Sequence, residues 1–243
     1  MQSAPTRRER LAPDAEAPRY MRNASALSVE ETRALLGKCV LVAGCGGLGG
    51  YVIECLARIG VGTIIAVDDD AFDETNLNRQ LLACEKTLGE DKAEAARERI
   101  AQVNPDVRLI AKCATIDQTT ADDLVADVDC VIDALDDPRV RFLLAHAAVE
   151  AGKPIVYGAV AGWYGQVCTV LPGDVSFPVV YGTPKGESAH IAEGVLAPTV
   201  ACTAAHQAAE AVKVLLGKEG LIRNRLLMID MLFGSCDDMD ITG

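Results

Sequence analysis

A glycine-rich turn between an apolar strand and a helix constrains this chain more than any other feature. The segment GCGGLG at 44–49 follows a predicted strand at 38–43 and overlaps the start of a predicted helix at 48–59. A second apolar strand is predicted at 63–68. This order of strand, glycine turn, helix and strand is typical of the first βαβ unit of a dinucleotide-binding fold.

The glycines of this turn, Gly44, Gly46, Gly47 and Gly49, predict a phosphate cradle. Without side chains, the backbone N–H groups can approach phosphate oxygens, and the positive end of the helix dipole favours negative charge. Asp68 ends the next strand, in position to bond ribose hydroxyls. The motif therefore indicates nucleotide binding rather than a turn that only packs a helix on a strand.

Strands and helices continue to alternate after this unit. Helices are predicted at 90–103, 119–126, 138–151 and 198–216, and strands at 107–112, 130–134, 154–159, 165–171 and 225–231. We expect an α/β fold with a Rossmann-like mixed sheet, parallel in the first half with helices on both faces and antiparallel in the second half. A long irregular loop is predicted at 172–196.

Composition excludes several classes of protein. The net charge of −12 disfavours a nucleic-acid partner. No apolar run approaches the roughly 20 residues of a membrane span, and no apolar core follows the arginines near the N-terminus. The nine cysteines form no Cys-x-x-Cys pair, which favours reduced thiols. We expect a cytoplasmic protein that binds neither a membrane nor nucleic acid.

The residues after Asp68 favour ATP over a nicotinamide cofactor. The polar residues that follow it are Asp70, Asn76, Arg79, Gln80 and, at the start of the next helix, Lys92. A dinucleotide needs no such cluster beyond its ribose, whereas a triphosphate carries more negative charge there. An NAD(P) oxidoreductase stays the competing class at this point.

A second polar cluster follows the predicted strand at 130–134. It contains Asp136, Asp137 and Arg141, at the strand end where open α/β sheets place ligands. A carboxylate here can hold Mg²⁺, which binds oxygen ligands and substrate phosphates. One of the two aspartates can instead cap the helix that begins at Pro138, and both roles can be filled by different residues.

In order and spacing, these motifs resemble the ThiF/MoeB/HesA family, bacterial relatives of the ubiquitin-activating enzymes. The resemblance spans about 19–232 and also includes RYMRN at 19–23, YGA at 157–159, GQ at 165–166 and EGVLAP at 193–198. It implies an ATP- and Mg²⁺-dependent adenylyltransferase that joins AMP to the C-terminal glycine carboxylate of a small ubiquitin-like sulfur-carrier protein and releases pyrophosphate.

The resemblance also implies roles for individual residues. Asp68 would bind the ribose, Asn76, Arg79 and Lys92 the phosphates, and Asp136 the Mg²⁺; Arg22 would reach into the partner's site across a homodimer. Residues 1–18 are rich in Pro, Ala and charge, which predicts a flexible arm, and residues 19–243 would form one adenylation domain. The domain would have a nucleotide-binding half at about 19–150 and an acceptor-binding half at about 151–243.

Two departures from the family pattern affect this expectation. The cysteine pairs that hold zinc in many members are missing, so we predict no zinc. His190 stands where thiolating members carry a cysteine, and for Cys168 and Cys202 core positions are expected. An alternative is therefore adenylation of a small-molecule or peptide carboxylate without a covalent cysteine step. A tRNA-modifying relative and a non-catalytic binding subunit are further alternatives.

Overall fold

Strands and helices alternate along the chain in the computed structural model, which describes residues 14–174, 176–182 and 194–241. The strands are β1 Cys39–Ala43, β2 Thr63–Val67, β3 Arg108–Lys112, β4 Cys130–Asp133, β5 Ile155–Ala161, β6 Tyr164–Val170, β7 Arg225–Asp230 and β8 Ser235–Asp240. The helices are α1 Val29–Leu36, α2 Gly47–Ile59, α3 Lys92–Val103, α4 Gln118–Val125, α5 Pro138–Glu150, α6 Phe177–Val180 and α7 Ala197–Leu216. Short 3-10 helices span Pro18–Asn23 and Glu74–Asn76.

All of these strands belong to one sheet, in the order β3-β2-β1-β4-β5-β6-β7-β8. Neighbours from β3 to β5 are parallel, and those from β5 to β8 are antiparallel. The predicted α/β class and Rossmann-like mixed sheet are confirmed. Because the chain leaves β1 in one direction for β2 and later returns on its other side as β4, a crevice forms at the carboxyl ends of these strands.

Two apolar cores lie on opposite faces of the sheet. The larger contains Leu35, Ile53, Leu56, Ile100 and Val200, from α1, α2, α3 and α7. The smaller lies under α4 and α5. Burial on both faces explains why β1 and β4 are apolar along nearly their whole length.

The helix ends follow the signals in the sequence. Ser28 and Glu31 form a capping box at the start of α1. Gly60 ends α2 in the left-handed conformation, with φ 102°. Gly217 ends α7 in the same way.

The sequence missed four elements. One is β8, an edge strand of sequence SCDDMD whose residues are all exposed, so it lacks the apolar alternation by which strands are recognised. The others are short: α6 and the two 3-10 helices, the first of which holds Arg22. The predicted loop at 172–196 contains α6, while 175 and 183–193 lie outside the described residues, as do 1–13 of the predicted arm.

Within the described ranges, no helix has both the length and the apolar character needed to cross a bilayer.

Candidate functional site

A cleft of about 890 Å³ opens at the carboxyl ends of β1, β2 and β4 and continues along β5 and β6. It collects most of the residues that the sequence predicts for the site. Those lining it are Gly44, Gly46, Gly47, Asp68, Asp70, Arg79, Gln80, Lys92, Asp136, Asp137 and Arg141. Gly49, Asn76 and Arg22 are not part of its lining.

The glycines of the turn have different structural roles. Gly44 has φ 88°, and a Cβ there would lie 2.5 Å from the carbonyl oxygen of Ala134. A Cβ on Gly49 would lie 1.7 Å from the carbonyl oxygen of Gly44. At Gly46, the nearest atom to an added Cβ would be Nε2 of Gln80, at 3.5 Å. Gly44 and Gly49 therefore shape the turn, while Gly46 leaves cleft space that a side chain would fill.

The N-terminus of α2 faces this space. Its N-cap, Gly46, offers no side-chain hydrogen bond to the first turn, and Gly47 lines the cleft. The first N–H groups of a helix have no partner within the helix. Together with the helix dipole, they suit a phosphate.

Asp68 is fixed beside the glycine turn by two backbone donors. The N–H of Cys45 donates to its Oδ2 at 2.6 Å, and the N–H of Asp70 donates to its Oδ1 at 2.9 Å. Burial raises the pKa of Asp68, although these two hydrogen bonds oppose the shift. The carboxylate thus lies at the cleft wall in a fixed orientation, as a ligand for hydroxyl groups requires.

Two cations reach the cleft from the loop after β2 and from α3. Lys92 is buried, and its Nζ lies 2.8 Å from Oδ2 of Asp70, whose side chain is 69% exposed. Nη1 of Arg79 donates to the carbonyl oxygen of Thr75 and to Oδ1 of Asn78, both at 2.9 Å. The two partners of Arg79 are exposed oxygens on the same loop, so exchanging them for phosphate oxygens costs little.

Two amides near these cations differ in their surroundings. Gln80 is buried at the cleft, and its Oε1 has no hydrogen-bond partner among the residues that the structure describes. Asn76, which the sequence places at the phosphates, is buried within its own loop, where its Oδ1 accepts the N–H of Asp73 at 3.2 Å. Its contacts make it a support for the loop that carries Arg79.

The neighbouring aspartates after β4 divide their roles. Asp137 is the N-cap of α5: its Oδ1 accepts the N–H of Arg139 at 2.8 Å, and Oδ2 pairs with Nη2 of Arg139 at 3.0 Å. Hydrogen bonds from the Arg139 side chain and backbone lower the pKa of Asp137. Asp136 is exposed at the cleft and has no hydrogen bond or ion pair with the residues described. Its carboxylate is therefore uncommitted and fits a metal ligand.

Arg141 is held mainly by the protein itself. Its Nε donates to Oδ2 of the fully buried Asp133 at 2.9 Å, and its Nη2 donates to the carbonyl oxygen of Gly158 at 2.6 Å. Its guanidinium carbon lies 4.4 Å from the ring centroid of Tyr157. Burial opposes its charge, but Asp133, together with Tyr157 and Tyr181, outweighs burial and raises the pKa of Arg141.

The sequence did not single out Tyr157 and Gln166 as a pair. The hydroxyl of Tyr157 donates to Oε1 of Gln166 at 3.2 Å, and both residues line the cleft. No local sequence motif predicts such a contact, because the contact depends on the pairing of β5 with β6.

Other predicted residues lie elsewhere. Arg22 is exposed on the 3-10 helix Pro18–Asn23. Cys168 is buried in β6, where burial raises the pKa of its thiol to about 12, and Cys202 is half-buried on α7. His190 lies outside the described residues. In the described part of the chain, no three His, Cys, Asp or Glu side chains form a group suited to a metal ion.

The fold and this cleft define an α/β protein whose crevice, with its glycine turn and helix N-terminus, suits a phosphate, and comparison with known proteins identifies its family. The profile of the ThiF family matches residues 20–242. The chain belongs to the ThiF family. The predicted family membership is thereby confirmed, and so is the predicted adenylyltransferase class, since two of the three relatives below are named adenylyltransferases.

Three relatives illustrate the similarity. The SAMP-activating enzyme E1 of Haloferax volcanii is 36% identical over 82% of this chain and 74% of its own length. The sulfur carrier protein adenylyltransferase of Thermus thermophilus is 36% identical over 81% of this chain and 76% of its own length. The probable adenylyltransferase/sulfurtransferase MoeZ of Mycobacterium tuberculosis is 35% identical over 85% of this chain, which spans only 55% of that protein.

Solved structures share the fold. Escherichia coli MccB superposes with a TM-score of 0.81 at 23% identity, over 92% of this chain and 69% of that chain. PaaA superposes with a TM-score of 0.78 at 20% identity, over 99% of this chain and 78% of that chain.

Proposed function

We propose that this chain uses ATP to adenylate the C-terminal glycine carboxylate of a small ubiquitin-like sulfur-carrier protein, with release of pyrophosphate. The names of the Haloferax and Thermus relatives support an acceptor of this kind. The observation that carries the proposal is the uncommitted Asp136 in the same cleft as the glycine turn and the side chains of Arg79 and Lys92.

Several features of the cleft fit ATP. Gly46 leaves room for a phosphate, and Asp68 presents a fixed carboxylate for the ribose. The unpartnered Oε1 of Gln80 is a buried acceptor that a donor from the ligand can satisfy. Arg79 and Lys92 add positive charge where the triphosphate would extend.

The reaction requires little from the protein besides positioning and charge. The attacking group is a carboxylate, which is already ionised at neutral pH, so no general base is needed. The N-terminus of α2, Lys92 and Arg79 would neutralise the phosphates and stabilise the negative charge that develops on the leaving pyrophosphate. The buried ammonium of Lys92 acts more strongly than an exposed one because less water screens it.

Asp136 would hold Mg²⁺. Its carboxylate is uncommitted because the neighbouring Asp137 supplies the cap of α5, and oxygen is the ligand atom that Mg²⁺ prefers. When bound, Mg²⁺ neutralises phosphate charge and orients the triphosphate.

Arg22 supports a proposal about assembly. It is exposed and outside the cleft of its own chain, as expected of a residue that serves the partner's site in a homodimer. Arg22→Ala and Asp136→Ala proteins should each lose activity, while a mixture of the two should recover part of it, because mixed dimers contain one intact site. No recovery after subunit exchange would contradict a shared site.

The test of the reaction is ATP–pyrophosphate exchange with purified protein. We expect exchange that depends on Mg²⁺ and on a ubiquitin-fold carrier protein ending in Gly-Gly, and that is lost when the carrier's terminal carboxylate is amidated. Exchange with small carboxylates or peptides, but not with any carrier, would favour the alternative acceptor instead.

Asp136→Ala should abolish exchange with the fold intact. Asp123 is an exposed aspartate on α4 that does not line the cleft, so Asp123→Ala removes the same charge and should leave exchange unchanged. Normal exchange in the Asp136→Ala protein would remove the role assigned to this carboxylate.

A further inference from the structure

One face of the β5–β6 hairpin forms a wall of the cleft. The register pairs Tyr157 with Cys168, Ala159 with Gln166 and Ala161 with Tyr164, so these side chains share one face. All of them except the buried Cys168 line the cleft. After Tyr157, this face of β5 carries only Ala159 and Ala161. Their small side chains leave a shallow channel along β5, between Tyr157 and Tyr164 of β6.

Arg141 stands at one end of this channel with part of its guanidinium unused. Asp133 takes Nε, and the carbonyl oxygen of Gly158 takes Nη2. Stacking on Tyr157 fixes the plane of the group. No hydrogen bond from Nη1 to another described residue is formed, although Arg141 lines the cleft.

Gln166 is oriented in a comparable way. Its Oε1 accepts the hydroxyl of Tyr157 at 3.2 Å, so its Nε2 is the free end of the amide. No described residue accepts a hydrogen bond from Nε2. Tyr157 therefore connects the two groups: its ring stacks on Arg141 and its hydroxyl orients Gln166.

We infer that Nη1 of Arg141 and Nε2 of Gln166 form a subsite for the terminal carboxylate of the acceptor. The inference rests on the proposed function and adds the residues that recognise the acceptor. Two fixed donors beside a channel of alanines suit an extended tail with small side chains that ends in a carboxylate. Neither donor belongs to the phosphate cradle, which lies across the cleft at β1 and α2.

The buried Asp133 explains how such a subsite can bind a nucleophile without inactivating it. An isolated arginine would hold a carboxylate as a strong ion pair and lower its reactivity. Here, Asp133 already balances the charge of Arg141, so the subsite offers hydrogen-bond donors with little net charge. The acceptor is then oriented, while its negative charge stays available for attack on phosphorus.

The decisive variant is Gln166→Glu. Glutamate has nearly the same shape, and its oxygen can still accept the hydroxyl of Tyr157, so the packing is preserved. The change replaces the free donor by a carboxylate oxygen that repels the acceptor. The matched control is Gln102→Glu, the same substitution at an exposed position on α3.

Binding is measured by calorimetric titration of the protein, saturated with a non-hydrolysable ATP analogue, with a synthetic peptide ending in Gly-Gly. We expect the wild-type and Gln102→Glu proteins to bind the peptide equally well. Gln166→Glu should weaken binding about tenfold or more, and amidating the peptide's terminus should weaken binding to the wild type similarly. The affinity for the ATP analogue should be the same in all three proteins.

Unchanged peptide affinity in Gln166→Glu would overturn the subsite, as would equal binding of the amidated peptide or no binding to the wild type. A weaker affinity for the ATP analogue in this variant would also overturn it, by showing that Gln166 serves the nucleotide. Because this titration requires no catalysis, it separates the subsite from the proposed reaction: intact peptide binding without pyrophosphate exchange would contradict the reaction alone.

Discussion

The two ends of the sheet contribute to the cleft in different ways. At the parallel end, β1 and β4 are buried on both faces, so only the loops at their carboxyl ends reach a ligand. At the antiparallel end, the β5–β6 hairpin uses side chains along the strands themselves, and β8 is exposed throughout. In the proposed complex, the parallel half binds ATP by backbone and loop residues, and the antiparallel half binds the acceptor by the face of a strand pair.

This difference affects how each half tolerates change. At the parallel end, Gly44 and Gly49 are packed against backbone, which cannot move without opening the glycine turn. Glycines of the hairpin are packed against side chains of α7, such as Gln207 beside Gly158 and Thr203 beside Gly165. A clash with a side chain can be relieved by shortening that side chain. A glycine substitution in the antiparallel half should therefore be compensated by a second substitution on α7.

The largest expected effect comes from placing a methyl group at each kind of glycine. In Gly49→Ala, the new Cβ would lie 1.7 Å from the carbonyl oxygen of Gly44, and we expect a loss of about 4 kcal/mol or more of unfolding free energy in urea. In Gly165→Ala, the Cβ would lie 2.0 Å from Oγ1 of Thr203, and the loss should be about 1–3 kcal/mol.

The second part of this test is compensation. Removing the Thr203 hydroxyl in a Gly165→Ala/Thr203→Ala protein should restore part of the lost stability. No change at α7 should rescue Gly49→Ala. Equal losses at the two glycines, or no rescue by Thr203→Ala, would show that the halves do not differ in this way.

A smaller effect is expected at Glu54, a buried carboxylate of the parallel half. It accepts hydrogen bonds from Arg58 and Arg99 at 2.6–3.0 Å. Burial alone would raise its pKa, but these arginines outweigh burial and lower the pKa below the usual 4.5. Glu54→Gln should cost about 1–2 kcal/mol at neutral pH.

The pH dependence follows from the lowered pKa. The contribution of Glu54 is complete above pH 4.5, the usual value, and is lost as pH falls through its lower value in the folded protein. The difference in unfolding free energy between wild type and Glu54→Gln should therefore shrink on acidification. Glu98→Gln, at an exposed position on α3, is the matched control. A difference that grows in acid would contradict this account.

The smallest effect is expected at the exposed edge of the antiparallel half. Nη1 of Arg225 lies 2.7 Å from Oδ2 of Asp238, but the two side chains are 41% and 46% exposed. Asp238→Asn should change the unfolding free energy by less than about 0.5 kcal/mol, and still less in high salt. A loss above 1 kcal/mol would mean that β8 stabilises the sheet through more than its backbone hydrogen bonds.

The same contrast decides what the sequence can predict. The residues of the parallel end are neighbours in the chain, as in the glycine turn and the segment from Asp68 to Gln80. Their spacing therefore located most of the cleft lining here, although Gly49 and Asn76 are not part of it. The contact between Tyr157 and Gln166 depends on the register of β5 and β6. The contact between Arg141 and Asp133 depends on the turn between β4 and α5. The polar, exposed β8 lacks any apolar pattern. Sequence also left open which of Asp136 and Asp137 caps α5, because that choice depends on backbone geometry.

The β5–β6 turn gives the protein a built-in optical probe. Trp163, half-exposed in that turn, is the only tryptophan of the chain, and its carbonyl oxygen accepts the N–H of Met231. Its neighbour Tyr164 lines the cleft on the side of the hairpin. Selective excitation of this indole therefore reports from one fixed point at the hairpin end of the crevice, without any label and without interference from a second fluorophore of its kind.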